Sequence, residues 1–171
     1  MGKVKILFLA AVVFLLNPLP AHSETYEDST NGYRLEYPSG WRIKVKSGSG
    51  DTVKLNITKD YIIGIQVRIY QNQGDFNSFI GPYTEDFIKQ MQKRWGGEPK
   101  VMDINSIWVS RIGGLSETFD FVKGDNTRLF LKHYFIPKND KVFVFQGGGP
   151  YDDRFSYEPD FDYIVQSLIL E

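Results

Sequence analysis

The sequence predicts an α+β domain in which a central antiparallel β-sheet is flanked by helices, and two patterns carry that expectation. Apolar and polar residues alternate along eight short segments, the mark of strands with one buried face. Two other segments place apolar residues three and four apart, the period of an amphipathic helix. Successive strands joined by short turns pair antiparallel, and helices set apart from such strands cover the sheet. The expected order is β-β-β-β-α-β-β-β-β-α, an α/β/α sandwich.

Ahead of the first strand the chain reads Met-Gly-Lys-Val-Lys, an unbroken apolar run over residues 6–16, and then Asn-Pro-Leu-Pro-Ala-His-Ser before turning polar at Glu24. This is the plan of a secretory signal peptide. Lys3 and Lys5 give the positive start, and the apolar run is too short to cross a hydrocarbon core of about 30 Å as a helix. Ala21 and Ser23 are small residues two apart, so cleavage is expected after Ser23, with cleavage after Ala21 as the second choice. The alternative is an uncleaved anchor, which Pro18 and Pro20 oppose by breaking a helical extension. The expected division is a leader over 1–23 and one domain over 24–171, in the periplasm or outside the cell, large enough to bury a proper core.

The strand series begins with Tyr33, Leu35 and Tyr37, alternating with Arg34 and Glu36. Pro38-Ser39-Gly40 turns the chain into Trp41, Ile43 and Val45, so these two strands read as a hairpin-like pair. Beyond Ser47-Gly48-Ser49-Gly50 come Val53, Leu55 and Ile57, and then Tyr61, Ile63, Ile65, Val67 and Ile69 on one face of a longer strand. The opposite face of that strand carries Gln66 and Arg68 and is wetter. Asp75 is an N-cap candidate for the apolar stripe Phe76, Phe79, Ile80, Tyr83, Phe87, Met91 and Trp95. Gly81-Pro82 interrupts the stripe, which predicts a short leading turn and a main helix over 82–95 that stops at Gly96. Strands are then expected over 100–110, 115–122, 128–136 and 141–146, divided by Gly- and Asn-rich turns. A closing helix over 159–170 carries Phe161, Ile164, Val165 and Leu168 as its apolar stripe.

Composition excludes several classes of function. The chain has 20 Lys+Arg against 21 Asp+Glu, and removing Lys3 and Lys5 leaves 18 against 21, a mature charge near −3. That balance offers no footprint for nucleic acid or anionic lipid, and no membrane insertion is expected after cleavage. There is no cysteine, so neither a disulfide framework nor an N-terminal thioether lipid is available. Asn56-Ile57-Thr58 matches a glycosylation acceptor, a short pattern common by chance.

Few residues could carry chemistry. With cleavage after Ser23, His133 is the only imidazole left, and a zinc site built from several His or Cys cannot form. His133 lies mid-strand and reads as a hydrogen-bonded structural residue, with a ligand or catalytic role as the alternative. The acidic run from Tyr151 to Asp162 offers Asp152, Asp153, Glu158 and Asp160 as candidate Ca²⁺ ligands or paired carboxylates for hydrolysis. Its spacing lacks the glycine and closing glutamate of an EF-hand loop, and Pro159 among carboxylates reads more simply as the start of a helix complementing its dipole. Gln146-Gly-Gly-Gly-Pro150 lacks the Lys-Ser/Thr of a phosphate-binding loop and reads as a loose exit from an edge strand. Aromatic residues at element ends, among them Tyr70, Tyr83, Trp108, Tyr134, Tyr151 and Tyr157, are either core or an exposed patch for a ligand or protein. Tyr134, Tyr151, Tyr157 and His133 are the binding-surface candidates.

The run Gly32-Tyr33-Arg34-Leu35-Glu36-Tyr37-Pro38-Ser39-Gly40-Trp41 resembles the opening strand and turn of PsbP-like domains. That family includes the extrinsic lumenal protein of photosystem II, a yeast Ran-binding import factor and bacterial exported proteins. The ending Phe161-Asp-Tyr-Ile164-Val-Gln-Ser167-Leu168 is similar to the family's closing helix. The resemblance implies a sheet flanked by helices that serves as a non-enzymatic binding or assembly module. A protein partner is expected first and no cofactor beyond the Ca²⁺ considered above. The chain departs from the plant photosystem subunit in having a secretory leader and no set of His and carboxylates to match its metal-linked residues. Two alternatives stand beside the module: a carboxylate-dependent hydrolase or carbohydrate-active protein, and a small-ligand carrier.

Overall fold

The computed structural model describes residues 22–46, 53–72 and 74–171. Ten strands and two helices follow in the order β1 (Ser23–Asp28), β2 (Tyr33–Pro38), β3 (Arg42–Val45), β4 (Val53–Thr58), β5 (Gly64–Gln71), α1 (Phe76–Trp95), β6 (Pro99–Val109), β7 (Ile112–Val122), β8 (Arg128–Lys138), β9 (Lys141–Pro150), α2 (Glu158–Gln166) and β10 (Ile169–Leu170). A seven-stranded antiparallel sheet runs β3-β4-β5-β9-β8-β7-β6, and a three-stranded one runs β1-β2-β10. The α+β class and the antiparallel sheet flanked by helices are as the alternation predicted. The leader lies outside the described residues apart from His22 and Ser23.

One face of the large sheet is sealed by α2 and the small sheet. Leu55, Ile57, Ile65, Val67, Phe143 and Phe145 project there, and Tyr33, Leu35, Tyr37 and Trp41 meet them together with Phe161, Ile164, Val165 and Leu168 of α2. The tyrosines of β2 are thus core, as their shared strand face implied. The Trp41 indole packs edge-on against Phe161 at 6.1 Å between ring centroids. Ser167 ties α2 to β2, its hydroxyl accepting the Glu36 N–H at 2.8 Å.

The opposite face carries α1. Phe76, Phe79, Ile80 and Tyr83 pack on Phe135, Val142, Val144 and Leu115. Further along the helix Phe87 reaches Phe119 at 5.5 Å and Trp95 stacks on Phe121 at 6.0 Å. The helix therefore covers the β7–β8 end of the sheet.

Besides the closing helix, which ends at Gln166 so that Ile169–Leu170 can pair with β2 as β10, four sequence expectations need correction. First, β2 and β3 are not a hairpin. Gly40, at φ 87°, helps Pro38-Ser39-Gly40 carry the chain from the small sheet to the large one, and β1 and β10 occupy both edges of β2. Second, α1 begins at Phe76 and runs through Pro82. Proline removes one backbone donor, yet the apolar first turns are held against the sheet by packing, which outweighs one lost bond. Asp75 takes the N-cap position without a side-chain capping bond, while Gly96 does terminate the helix. Third, β5 starts at Gly64, and Tyr61 stands fully exposed in the preceding turn. Fourth, the triple-glycine run is no loose exit from an edge. It lies within β9, between β5 and β8, where a Cβ on Gly147 would sit 2.6 Å from the Phe161 ring and one on Gly149 2.7 Å from Tyr157. Two glycines are thus needed because α2 and its leading turn press rings directly on the strand.

Candidate functional site

Strand register places an unusual row on the α1 side of the large sheet. Lys44, Asn56, Gln66, Gln146, His133 and Glu117 lie directly opposite one another across β3, β4, β5, β9, β8 and β7. Strands pleat with period 2, so polar residues in register line one face together. Helix α1 covers the Glu117–His133 end. The remainder floors a cleft of about 820 Å³ between α1 and the Asp60–Ile62 turn. Met91 and Trp95 form the helix wall, Tyr61 and Ile62 the facing wall, and Leu131 with Gly148 part of the floor. Such a volume lies in the range of small-ligand sites, about 300–1,000 Å³.

The covered end of the row is dry. His133 is 1% exposed and ringed by Phe87 at 4.3 Å, Phe119 at 5.0 Å and Tyr83 at 6.0 Å. Burial, with the charge of Arg68 second, pushes its pKa down to about 3, so the ring is neutral at physiological pH. Gln146 Nε2 lies 3.4 Å from His133 Nε2. With that amide donating, the ring proton sits on Nδ1, which is buried without a hydrogen-bond partner among the described residues. Beside it Glu117 is also buried. Desolvation raises its pKa, opposed by the hydrogen bond it accepts from the Thr84 hydroxyl at 2.7 Å.

The open end is wetter and also unsatisfied. Asn56 Oδ1 and Arg68 Nε are buried with no partner among the described residues. Arg68, one step along β5 from Gln66, donates to Gln66 Oε1 at 3.1 Å and to the Tyr70 hydroxyl at 3.5 Å. The carboxylates near the cleft are already engaged: Asp86 accepts from Gln90 at 2.5 Å, and Asp60 accepts the Ile62 and Ile63 amides at 2.7 Å each. Those two amides hold the Asp60 carboxyl below its usual range.

Of the candidate residues singled out from sequence, His133, Tyr70 and Tyr83 line the cleft together with Gln146 and its glycines, and the others fall elsewhere. Tyr134 and Tyr157 are 2% and 0% exposed, and their hydroxyls donate to Asp162 Oδ1 and to the Pro150 carbonyl, each at 2.8 Å. Tyr151 lies between the Arg128 and Arg154 guanidinium groups, at 3.6 and 4.2 Å from its ring centroid. These three rings are buried and do not form an exposed patch. Of the acids, Asp152 and Asp153 are exposed, Glu158 binds Lys132 Nζ at 2.8 Å, and Asp160 pairs with Lys59 at 3.7 Å. Burial lowers the Lys132 ammonium, but its bonds to Glu158 and Asp162 outweigh that and leave its pKa raised. Among the described residues no group of three His, Asp or Glu side chains could hold a metal ion. The cleft itself was missed, although Gln66 and Arg68 had marked one wet face. Its other polar residues sit on strands whose pairing order sequence alone does not give.

Neither a family model nor a curated protein matches this sequence. Solved structures do match in fold. PsbP of the cyanobacterium Synechocystis sp. PCC 6803 superposes with a TM-score of 0.68 at 15% identity, over 91% of this chain and 96% of that one. LpqN of Mycobacterium tuberculosis, described as involved in cell envelope biogenesis, gives 0.55 at 12% identity over 87% and 90%. PA94 of Pseudomonas aeruginosa, a protein of unknown function described as a putative regulator, gives 0.51 at 16% identity over 88% and 98%. The protein is an α+β domain built on a central antiparallel sheet with helices packed on it. More particularly, its fold is the PsbP-like fold, as the opening and closing motifs implied.

Proposed function

We propose that this chain is an exported, non-enzymatic binding module that takes a small ligand in the cleft between α1 and the β4–β5 end of the sheet. One observation carries the reading: the polar row crosses six strands and passes from a dry, helix-covered end into an open cleft. Buried polar atoms are normally paired, and leaving one unpaired costs roughly 1–3 kcal/mol. Asn56, Arg68 and His133 each keep one such atom at this place. A bound ligand with polar groups would satisfy those at the open end. The hydrolase alternative draws less support, since Glu158 and Asp160 are engaged by lysines and do not line the cleft.

Export rests on the leader pattern, and among the described residues no helix is long and apolar enough to cross a membrane. The test is amide chemical-shift mapping of the labelled domain against a small-molecule fragment library. Shifts gathered on Gln66, Gln146 and Trp95 support the cleft. Binding that maps only outside it defeats the reading.

A protein partner is favoured by a second feature. Among the described residues the edge strand β6 is paired on one side only, and Ile104 and Trp108 on it are 54% and 69% exposed. A long edge strand with exposed apolar residues is a template for an added strand. A protein captured from the envelope fraction by the wild type and lost with Ile104→Lys and Trp108→Lys would place it there. Capture unchanged by both substitutions would remove that site.

A further inference from the structure

We propose that the ligand of this cleft is a small organic acid with an apolar body, its carboxylate seated on the guanidinium of Arg68. The proposal rests on the cleft being the binding site and adds the chemical class of what it holds.

Arg68 is the group in the cleft whose state in the free protein is least accounted for. It stands on an interior strand, half buried, and its fork meets only neutral dipoles, the Gln66 amide oxygen and the Tyr70 hydroxyl. Among the described residues no carboxylate lies within ion-pairing distance of it. A charge withdrawn from water without a counter-charge is costly, and interiors retain one only where something pairs with it. Among the described residues the carboxylates nearest to it are otherwise engaged: Asp86 and Asp60 as described, and Glu117 at the covered end with Thr84.

The surrounding charge points the same way. Lys44, Arg68 and Arg94 line the cleft against Asp60 and Asp86, an excess of one positive charge with His133 neutral, in a chain whose formal net charge is −1. Arginine matches a carboxylate in shape as well as charge, because its planar fork presents parallel donors. The amides of Asn56, Gln66 and Gln146 supply neutral donors and acceptors beside it. Met91, Trp95, Leu131 and Ile62 supply apolar wall. A carboxylate on an apolar body fits this mixture. A bare inorganic anion would leave the apolar wall unused.

The experiment is titration calorimetry on the full domain with two matched pairs: naphthalene-2-carboxylate against naphthalene-2-carboxamide, and decanoate against decanamide. Inorganic phosphate forms a third arm, and bound states are located by amide shift mapping. A hydrogen bond to a charged group predicts that at least one acid binds about tenfold to a hundredfold more tightly than its amide. Arg68→Gln should abolish that preference without lowering the melting temperature of the free domain, because the guanidinium pairs with no charge there. Arg68→Lys should keep part of the preference. Phosphate binding that Arg68→Gln removes would support the oxyanion seat and move its source to a phosphate group. Equal binding of acid and amide within the cleft would overturn the oxyanion while leaving the cleft as a site. Shifts only outside the cleft would overturn the cleft reading as well, and no binding by any acid or by phosphate would overturn the proposal.

Discussion

Lowering the pH should destabilise this domain through His133, and the size of the effect can be worked out. The groups facing its ring are Glu117 from β7, Tyr83 from α1 and Arg68 from β5, and none offers the imidazolium a paired carboxylate. The folded pKa is about 3, against the usual 6.5 of an unfolded chain. Between those values the unfolded state binds more protons than the native state, so stability rises with pH across the window and is complete above the unfolded pKa. At about 1.4 kcal/mol for each pH unit below 6.5, going from about pH 7.5 to about pH 5 should cost roughly 2 kcal/mol. For a domain of this size that is a fall of about 4–8 °C in melting temperature. Glu117, whose pKa is raised by burial, acts with the opposite sign, gaining stability as it protonates. Urea unfolding followed by tryptophan fluorescence at both pH values, in wild type and in His133→Phe, isolates the histidine. The variant should lose about 2 kcal/mol of acid sensitivity. If its stability changes with pH as much as that of the wild type, His133 is not held neutral by the fold.

Trp41→Ala should lower stability by about 3 kcal/mol in denaturant titration, because the indole is buried against Phe161. Gly147→Ala should cost about 1–3 kcal/mol, since its methyl group would meet the Phe161 ring at 2.6 Å. Gly148→Ala should cost clearly less in the same assay, because its new atom comes close, at 2.9 Å, to the movable end of Leu131 and is at ordinary contact distance, 3.6 Å, from the Phe130 carbonyl. Cleavage after Ser23, the first choice on the sequence, would remove the residue that pairs with Pro38 in β1, whereas cleavage after Ala21 would keep it, and an intact mass of the mature protein decides between the two.

The fold was legible where side chains alternate and illegible where backbone pairing decides. Strands β2, β4 and β5 announce themselves by period-2 burial, whereas β6 is exposed along most of its length and β8 and β9 are buried on both faces over several residues. Strand β1 reads Ser-Glu-Thr-Tyr-Glu-Asp, with no apolar face, and exists because β2 offers it an edge. Strand β10 has only two residues and is invisible for the same reason. The run of glycines misled because flexibility is the usual reading of three in a row, whereas here they admit the rings of α2 and its approach. The cleft needed register: Lys44, Asn56, Gln66, Gln146, His133 and Glu117 are scattered between positions 44 and 146 and meet only once the order β3-β4-β5-β9-β8-β7 is known. Tyrosines drew attention on the sequence because they combine apolar bulk with a hydroxyl, and Tyr134 and Tyr157 use both properties inside the core.

The two faces of the large sheet explain why the domain can be stable and still keep a site open. On the α2 face the strands present Leu, Ile, Val and Phe to a second sheet and a helix, and the larger of the two hydrophobic clusters lies on that side. The α1 face does not have to be sealed for the fold to hold. There α1 packs through aromatic residues over β7 and β8, and the polar row continues beyond it into the cleft. Polar substitutions along this row are therefore expected to be tolerated by the fold at the β3–β5 end and penalised at the β7–β8 end, where α1 excludes water. Binding and stability then separate along one line of residues. Gln66 and Asn56 can vary with the ligand, while His133 and Glu117 are constrained by the helix above them.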